Sequence, residues 1–377
     1  MSPNEILNHF ESRQAAMIDA IREIVEIESP SRDVQRNREV TAWVERQARD
    51  IKLDLQIEKT LADDYGEHLV IRAFPSDKKG VMLLGHTDTV HPVGSKLQNP
   101  TRIEDRKFYG CGIFDMKANV VLMLEALRFF AETGLRPARP ITILISCDEE
   151  VGSFTGRPIV EREAAVSEFC LVCEPSSNGR VKTGRKGTGM FCLKTWGIPA
   201  HAGLEPEKGA SAILELAKQI EKIQGLNNGA DGTTVNVCTM RGGTTTNVIP
   251  EHAECSIDVR FTSASEADRI ACEIRNLTAF DDRVKLAVSG GINRPPMERT
   301  EKVSALYEKA RELAASFGYD LGETQVGGAS DGNFVAALGI PVLDGLGISG
   351  DGAHTLKEHI CIDDISTRAT LMAMLLM

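Results

Sequence analysis

Histidines and carboxylates recur in five short stretches of the chain, and each stretch follows an apolar run or lies in a glycine-rich loop. The stretches are Gly85-His86-Thr87-Asp88, Gly112-Ile113-Phe114-Asp115, Cys147-Asp148-Glu149-Glu150, Glu174-Pro175-Ser176 and Gly350-Asp351-Gly352-Ala353-His354. A cluster of carboxylates is costly to bury unless a cation neutralises it. Imidazole and carboxylate without thiolate suit a catalytic site for zinc, manganese or cobalt. A surplus of carboxylates indicates two ions that share a bridging ligand, at a separation of about 3.5–4 Å.

Each stretch alone has a plainer explanation. A histidine after a strand, such as His86, is more often a hydrogen-bonded loop residue than a metal ligand. The acidic run 148–150 would by itself usually be a solvated turn, and Asp115 could cap a helix. Glu174 before a proline indicates almost nothing on its own. Their joint occurrence at the ends of apolar strands and in glycine loops favours the metal site.

The elements that must position these residues follow an alternating pattern. Short apolar runs at 81–84, 141–145 and 169–173 predict buried strands, while 4–28, 36–50, 119–132, 302–317 and the region from about 364 predict helices. Strands that alternate with helices indicate an α/β domain with a mostly parallel sheet. The carboxyl ends of parallel strands form one edge of a sheet, where ligands bind. We therefore expect the acidic and imidazole groups to converge there.

The pattern changes between about 184 and 294. The segments 190–196, 233–240 and 253–261 are β-rich or alternate between apolar and polar residues, and 211–224 and 265–276 are helical in pattern. Two helices among antiparallel-type strands indicate a separate α+β domain. We predict a catalytic α/β domain formed by 1–184 and 295–377, interrupted by an inserted α+β domain at 185–294 that serves as a dimerisation and lid domain.

Composition restricts the partners of the chain. The 377 residues carry 43 Lys and Arg against 54 Asp and Glu, a net charge of −11, which argues against nucleic acid and anionic membranes as partners. No window of 18 residues lacks charge, so we predict no transmembrane helix. The first ten residues lack a basic patch followed by an apolar stretch, so we expect no signal peptide and a cytoplasmic protein.

Nine cysteines are present, and Cys170 and Cys173 form a C-x-x-C that could be a redox pair or half a zinc site. The two lie in a strand-like run, where residues three apart point to opposite faces. We interpret them as reduced thiols of the core.

Ten motifs, in the same order along nearly the whole chain, resemble the dizinc peptidase and deacylase family. This family includes glutamate carboxypeptidase of the carboxypeptidase G type, acetylornithine deacetylase, succinyl-diaminopimelate desuccinylase and aminoacylase. The motifs span residues 85–90, 112–117, 148–153, 173–175, 184–187, 197–203, 247–250, 258–260, 327–331 and 352–354. One departure is Ala118-Asn119, where the family usually has two glycines.

The resemblance implies a set of metal ligands. It assigns His86 and Glu174 to one zinc, Glu150 and His354 to the other, and Asp115 to both, with cobalt or manganese as alternatives. It also implies that Asp88 orients the imidazole of His86, as metal-bound histidines usually require. The peptide bond after Asp115 is often cis in this family.

The resemblance also implies catalytic roles. Glu149 matches the general base, which takes a proton from water and passes it to the leaving nitrogen, while its neighbour Glu150 is committed to a metal. His201 would stabilise the oxyanion together with zinc, in the active site of the partner subunit, so the catalytic unit would be a homodimer. Asn247 would contact substrate. The alternative for His201 is a hairpin-loop histidine.

Two arginines are candidates for binding a substrate carboxylate. Arg260 is the first, as a bidentate clamp, and Arg294 before two prolines is the second. The alternative for Arg260 is a surface arginine or an intramolecular ion pair. We interpret His91, His252 and His359 as structural residues.

Glu174 resembles the carboxypeptidase and deacylase branches, whereas aminopeptidase branches more often have aspartate at that position. The inserted domain and the loop 345–352 resemble the glutamate carboxypeptidase type most closely. The resemblance therefore implies a hydrolase of this type, which releases a C-terminal acidic amino acid from N-acyl amino acids or short peptides. The alternatives are an N-acyl-amino-acid deacylase of the acetylornithine or succinyl-diaminopimelate type and a di- or tripeptide aminopeptidase. A non-catalytic binding protein on the same fold is disfavoured, because every implied ligand and the base are present.

Overall fold

The computed structural model describes residues 1–377 and divides the chain into two compact units. The first unit comprises Met1–Gly184, Arg299–Gln325 and Ser330–Met377. The second comprises Arg185–Glu298 and Val326–Ala329.

The strands and helices are numbered in chain order. The strands are β1 (Leu55–Ala62), β2 (Gly66–Ala73), β3 (Gly80–His86), β4 (Arg102–Glu104), β5 (Lys107–Tyr109), β6 (Ile141–Ser146), β7 (Ser167–Val172), β8 (Val181–Arg185), β9 (Gly187–Trp196), β10 (Thr234–Gly242), β11 (His252–Phe261), β12 (Lys285–Arg294), β13 (Glu323–Val326), β14 (Val342–Leu343), β15 (Gly350–Asp351) and β16 (His359–Cys361). The α-helices are α1 (Pro3–Glu26), α2 (Val34–Arg49), α3 (Ala118–Thr133), α4 (Arg157–Ala165), α5 (Ala212–Gln224), α6 (Ala264–Arg275), α7 (Glu301–Ala315), α8 (Gly332–Ala337) and α9 (Ile365–Leu376).

The first unit is built on a six-stranded sheet in the order β1-β2-β6-β3-β7-β14. Strands β6, β3, β7 and β14 are parallel to one another, while the pairs β1–β2 and β2–β6 are antiparallel. Every residue of β3 and β6 is buried. Burial on both faces explains why these strands are continuous apolar runs rather than alternating ones. The predicted α/β class with a mostly parallel sheet is confirmed.

Strands β3, β6 and β7 contain the predicted apolar runs, and helices α1, α2, α3, α7 and α9 match the predicted helical segments within a few residues. The hairpin β1–β2 was not predicted. Strand β1 has no fully apolar face, since its sequence Leu-Gln-Ile-Glu-Lys-Thr-Leu-Ala leaves only its last residue buried. Such an edge strand carries a weak hydrophobic signal.

The second unit contains a four-stranded antiparallel sheet in the order β10-β11-β9-β12. Helices α5 and α6 pack on the sheet through a core that includes Leu216, Ile257 and Ile270. Alternate residues of β11 are buried, as expected for a sheet with one covered face. The α+β pattern predicted for this region matches these elements, and strand β12 is an addition to it.

None of the helices combines the length and apolar character that crossing a bilayer requires. All nine cysteines are free thiols, and Cys170 and Cys173 are both buried, as the strand pattern predicted. Burial raises the pKa of the Cys173 thiol well above its ordinary value.

Candidate metal centre

The ends of three neighbouring strands supply acidic and imidazole groups to one edge of the main sheet. His86 is the last residue of β3, the acidic turn Asp148–Glu150 follows β6, and Glu174 follows β7. Because β6, β3 and β7 are adjacent and parallel, these residues meet at the same edge. The convergence that the sequence predicted for these strand ends is confirmed.

The other two groups come from loops that a small sheet holds together. Strand β16 pairs with β5, so the segment around His354 runs beside the chain that leads into Asp115. Asn119, at the departure from the family pattern, adds a second connection, because its side chain donates to Phe114 O (3.3 Å) and accepts from Ile348 N (2.9 Å). Asn119 therefore connects the loop that contains Asp115 to the segment that leads to His354.

The carboxylate of Asp115 lies between two imidazoles. Its Oδ1 is 3.2 Å from Nε2 of His86, and its Oδ2 is 3.3 Å from Nε2 of His354. A further carboxylate lies beside each imidazole: Glu174 Oε1 is 3.5 Å from His86 Nε2, and Glu150 Oε2 is 3.3 Å from His354 Nε2. The structure thus brings together all five predicted ligands, in two halves that share Asp115.

The ring of His86 is oriented by Asp88. His86 Nδ1 is 2.9 Å from the backbone carbonyl oxygen of Asp88 and 3.4 Å from its carboxylate Oδ1. An Nδ1–H that donates to this carbonyl leaves the lone pair on Nε2, which faces Asp115 and Glu174. The predicted contact between Asp88 and the imidazole is present, mainly through the backbone of Asp88.

The buried carboxylate of Asp88 also holds the acidic turn. It accepts hydrogen bonds from the backbone N–H of Glu149 (3.1 Å) and of Glu150 (3.2 Å), and from the hydroxyl of Ser31 (2.7 Å). One side chain therefore orients the end of β3 and the turn after β6. Sequence reasoning did not find this second role, since nothing in the local pattern links residues 88 and 149.

Glu149 lies in the 3-10 turn Glu149–Val151, next to the cluster. Potential ligand atoms of His86, Glu149 and Glu174 lie within 4.8 Å of one another, as do those of His86, Asp115 and Glu150. This distance allows Glu149 to act either as a base beside a metal or as a ligand. The peptide bond Asp115–Met116 is cis, which confirms what the resemblance implied.

The electrostatics of the cluster fit divalent cations. Hydrogen bonds to Asp115 and Glu150 raise the pKa of His354 to about 10. Burial alone would lower the pKa of His86, but hydrogen bonds to Asp115, Asp88 and Glu174 raise it well above its ordinary value. The carboxylates thus stabilise positive charge at both imidazoles. Two imidazoles and three carboxylates without thiolate are a donor set for zinc, manganese or cobalt.

His201 and Asn247 lie close together in the second unit. Nδ1 of the exposed His201 accepts hydrogen bonds from the backbone N–H of Gly203 and Leu204, both at 3.1 Å. The imidazole therefore carries its proton on Nε2, where it can donate to an oxyanion. The backbone carbonyl of Asn247 accepts from Ala202 N at 2.9 Å, which joins the two loops.

Arg260 and Arg294 lie on either side of Thr188. The registers of β11 and β12 pair both arginines with this residue of the central strand β9. Arg260 also forms a bidentate ion pair with Asp258, with both N–O distances at 2.9 Å. This ion pair matches the intramolecular alternative predicted for Arg260. Arg294 is largely buried.

Comparison with known proteins identifies the family. Residues 82–377 match the sequence profile described as Peptidase family M20/M25/M40. The chain belongs to this family. Membership in a peptidase family makes it a hydrolase of amide bonds, and the cluster described above supplies two groups of candidate metal ligands.

The relatives of this family member include several enzymes. Carboxypeptidase G2 of Pseudomonas sp. strain RS-16 is 28% identical over 384 residues, covering 99% of this chain and 92% of the relative. Succinyl-diaminopimelate desuccinylase of Alkalilimnicola ehrlichii is 30% identical over 333 residues, covering 81% and 85%. The structure of aminopeptidase PepT from Bacillus cereus superposes with a TM-score of 0.82 at 23% identity, covering 96% of this chain and 98% of that one. At this identity, the structural likeness concerns the fold alone.

Proposed function

We propose that this chain is a two-metal hydrolase of the glutamate carboxypeptidase type, which releases a C-terminal acidic amino acid from N-acyl or peptidyl substrates. The observation that carries the proposal is the carboxylate of Asp115, which directs one oxygen to each imidazole. A carboxylate shared in this way suits a bridging ligand of a two-metal site. The similarity to carboxypeptidase G2 over 99% of the chain supports the substrate class.

In the proposed site, His86 and Glu174 would hold one zinc ion, Glu150 and His354 would hold the other, and Asp115 would be a ligand of both. When bound, the ions acidify water and polarise the amide carbonyl. Glu149 accepts a proton from the attacking water and delivers it to the leaving nitrogen. Asp88 keeps Glu149 in place for both transfers through the backbone N–H of that residue.

The experiment that tests the proposal is a substrate panel with zinc-, cobalt- and manganese-loaded protein. The panel contains N-acyl and peptidyl forms of glutamate, aspartate, ornithine, diaminopimelate and leucine, the C-terminal amides of the same compounds, and unblocked dipeptides. We expect cleavage of blocked glutamate and aspartate derivatives with a free carboxylate. Cleavage of unblocked dipeptides alone would contradict the proposal and favour an aminopeptidase.

A second candidate is an N-acyl-amino-acid deacylase. It is supported by the desuccinylase relatives, which are 28–30% identical over 74–81% of the chain. Both candidates hydrolyse an amide whose nitrogen belongs to an amino acid with a free carboxylate, so the same cluster serves either. Preferential cleavage of N-succinyl-diaminopimelate or N-acetylornithine over blocked glutamate would select the deacylase.

We propose that Arg260 binds the substrate carboxylate. Arg260→Ala should lower kcat/KM for blocked glutamate about 10–100-fold, mainly through KM, because a charged hydrogen bond is worth about 1.5–3 kcal/mol. Arg283→Ala is the matched control, since Arg283 forms a similar bidentate pair with Asp281 in the same unit. Asp258→Asn removes the ion pair but keeps the guanidinium and should have little effect. An equal loss of kcat/KM in Arg260→Ala and in Asp258→Asn would show that the ion pair has a structural role only.

We also propose that the chain is a homodimer in which His201 serves the active site of a second copy. Strand β10 is an edge of its sheet, and residues 238–242 are exposed on it. Met240 on this strand and Leu214 on the adjacent α5 are each 58% exposed. An unpaired edge strand beside exposed apolar side chains favours pairing with another chain.

Loss of the His201 imidazole should lower kcat about 10²–10³-fold, the typical effect of removing an oxyanion donor. Mixing the inactive His201→Ala and Glu149→Ala proteins, after dissociation and reassembly, tests the partner role. One intact site forms in each mixed dimer if His201 acts in the second copy, so we expect about a quarter of wild-type activity. Absence of recovery in verified mixed dimers would assign His201 to its own chain.

A further inference from the structure

Glu358 is a fully buried carboxylate that the proposed chemistry does not use. It follows His354 by four residues and has an exposed fraction of 0%. A buried carboxylate is costly unless its oxygens accept hydrogen bonds. The partners of Glu358 therefore indicate what the carboxylate is for.

Its partners are the backbone of the loop that carries Asp115. Oε1 accepts hydrogen bonds from the N–H of Phe114 and of Asp115, both at 2.9 Å. Oε2 accepts from the N–H of Gly112 at 2.7 Å. The backbone of residues 112–115 thus surrounds the carboxylate of Glu358. The N–H of Asp115 is one of the groups that donate to this carboxylate.

Two further contacts fix the carboxylate in turn. The Nε2–H of His91 donates to Oε2 of Glu358 at 2.6 Å, and His91 is itself buried. The backbone carbonyl of Glu358 accepts from Gly110 N at 3.3 Å, just before the loop. His91 is therefore more than a packed histidine, because it holds the carboxylate that holds the loop.

The same segment also positions the second imidazole. A turn links Gly352 to Thr355 (Thr355 N to Gly352 O, 3.0 Å), and Glu358 N donates to Thr355 O at 3.3 Å. His354 lies within this turn, so residues 352–358 set its position and that of Glu358 together. Through Glu358, this segment connects the imidazole of His354 to the loop that carries Asp115.

We propose that Glu358 is a positioning residue for Asp115, fixed by His91, which holds the Asp115 carboxylate in the place where it bridges two metal ions. The inference rests on the proposed two-metal site. It extends that site to two residues that contact no metal and no substrate. A merely structural anchor would lower the stability of the fold but leave the metal affinity of the folded protein unchanged.

The test is the affinity of folded, metal-free protein for Zn²⁺, measured by competition with a chromogenic chelator. In Glu358→Gln, an amide replaces one acceptor oxygen and can no longer accept from all the loop N–H groups. We expect affinity for the more weakly held ion to fall about 10–100-fold, the usual effect of losing an outer partner of a metal ligand. The thermal midpoint of the metal-free protein is measured in parallel.

Glu215→Gln is the matched control. Glu215 is a buried carboxylate of the second unit that also accepts from backbone N–H groups, at Phe280 (2.9 Å) and Asp281 (3.1 Å). The substitution makes the same chemical change and should leave zinc affinity as in wild type. An equal loss of zinc affinity in both variants would overturn the proposal.

His91 variants test the inference even where Glu358→Gln does not fold. His91→Leu removes the donor to Glu358 and should weaken zinc binding, while His91→Gln retains an N–H donor and should restore part of it. Wild-type affinity in Glu358→Gln or in His91→Leu would overturn the positioning role. A wild-type protein that binds no pair of ions would instead overturn the proposed function on which this inference rests.

Discussion

The Glu149→Ala protein is expected to bind two metal ions per chain and to hydrolyse its substrate about 10²–10⁴-fold more slowly than wild type, the range typical of general acid–base catalysis. The reason is that Glu149 moves the proton, while its neighbour Glu150 contacts His354 in the cluster. Metal content by atomic emission and kcat on the same preparation measure both parts of the expectation. Glu161→Ala, at a half-buried glutamate of α4 that pairs with Arg157, is the control for a carboxylate outside the cluster.

The geometry makes this experiment decisive, because potential ligand atoms of His86, Glu149 and Glu174 also lie within 4.8 Å of one another. If Glu149 is a ligand, its removal should release one ion together with the activity. That result would replace the proton-transfer role with a coordinating one. Retained turnover with both ions bound would exclude either role.

The second large effect is expected at Asp115. Asp115→Ala should weaken the binding of both ions by more than about 100-fold and abolish turnover, since even outer partners of ligands cost 10–100-fold. The physical reason is that Asp115 directs one oxygen to each imidazole, so its removal affects both halves of the cluster. Isothermal titration with Zn²⁺ measures the two affinities.

Two variants on the separate halves provide the comparison. Glu174→Ala and Glu150→Ala should each weaken one ion chiefly, because Glu174 Oε1 lies 3.5 Å from His86 Nε2 and Glu150 Oε2 lies 3.3 Å from His354 Nε2. Full binding of two ions by Asp115→Ala would contradict a bridging role. Loss of only one ion would restrict Asp115 to one half of the site.

The strand ends of the site could be predicted from the sequence for a simple reason. Strands β3 and β6 are buried along their whole length and β7 over its last three residues, so each contains an apolar run that is easy to locate. The polar residues at the ends of these runs can then be identified, and parallel neighbours bring them together. His86 and Glu174 followed from this argument. The hairpin β1–β2, which has a polar edge strand, lacked such a signal.

The loop residues of the site could not be predicted in this way. Asp115 and His354 meet because β16 pairs with β5, a pairing between three-residue strands that no periodicity indicates. Their residue types predicted that they join the cluster, but only the resemblance to a family assigned His354 to one metal ion and Asp115 to both. Asp88 accepts hydrogen bonds from two backbone N–H groups of the acidic turn, and Glu358 accepts from three of the loop 112–115. These contacts depend on tertiary structure, so no local sequence pattern predicts them.

One contact did leave a pattern. Residues two apart in a strand point to the same face, so the motif Asp258-Val259-Arg260 on a strand predicts that its acid and its base can pair. The structure contains this ion pair at 2.9 Å. Whether Arg260 serves substrate in addition is decided by the paired variants of Arg260 and Asp258.

The proposed site requires one carboxylate, that of Asp115, to be a ligand of two metal ions. The most direct measurement is a crystal structure of the zinc-loaded protein with anomalous data collected at the zinc absorption edge. We predict two peaks about 3.5–4 Å apart, one near each oxygen of the Asp115 carboxylate, the first beside His86 and Glu174 and the second beside Glu150 and His354. A single peak, or zinc bound away from Asp115, would contradict the two-metal account.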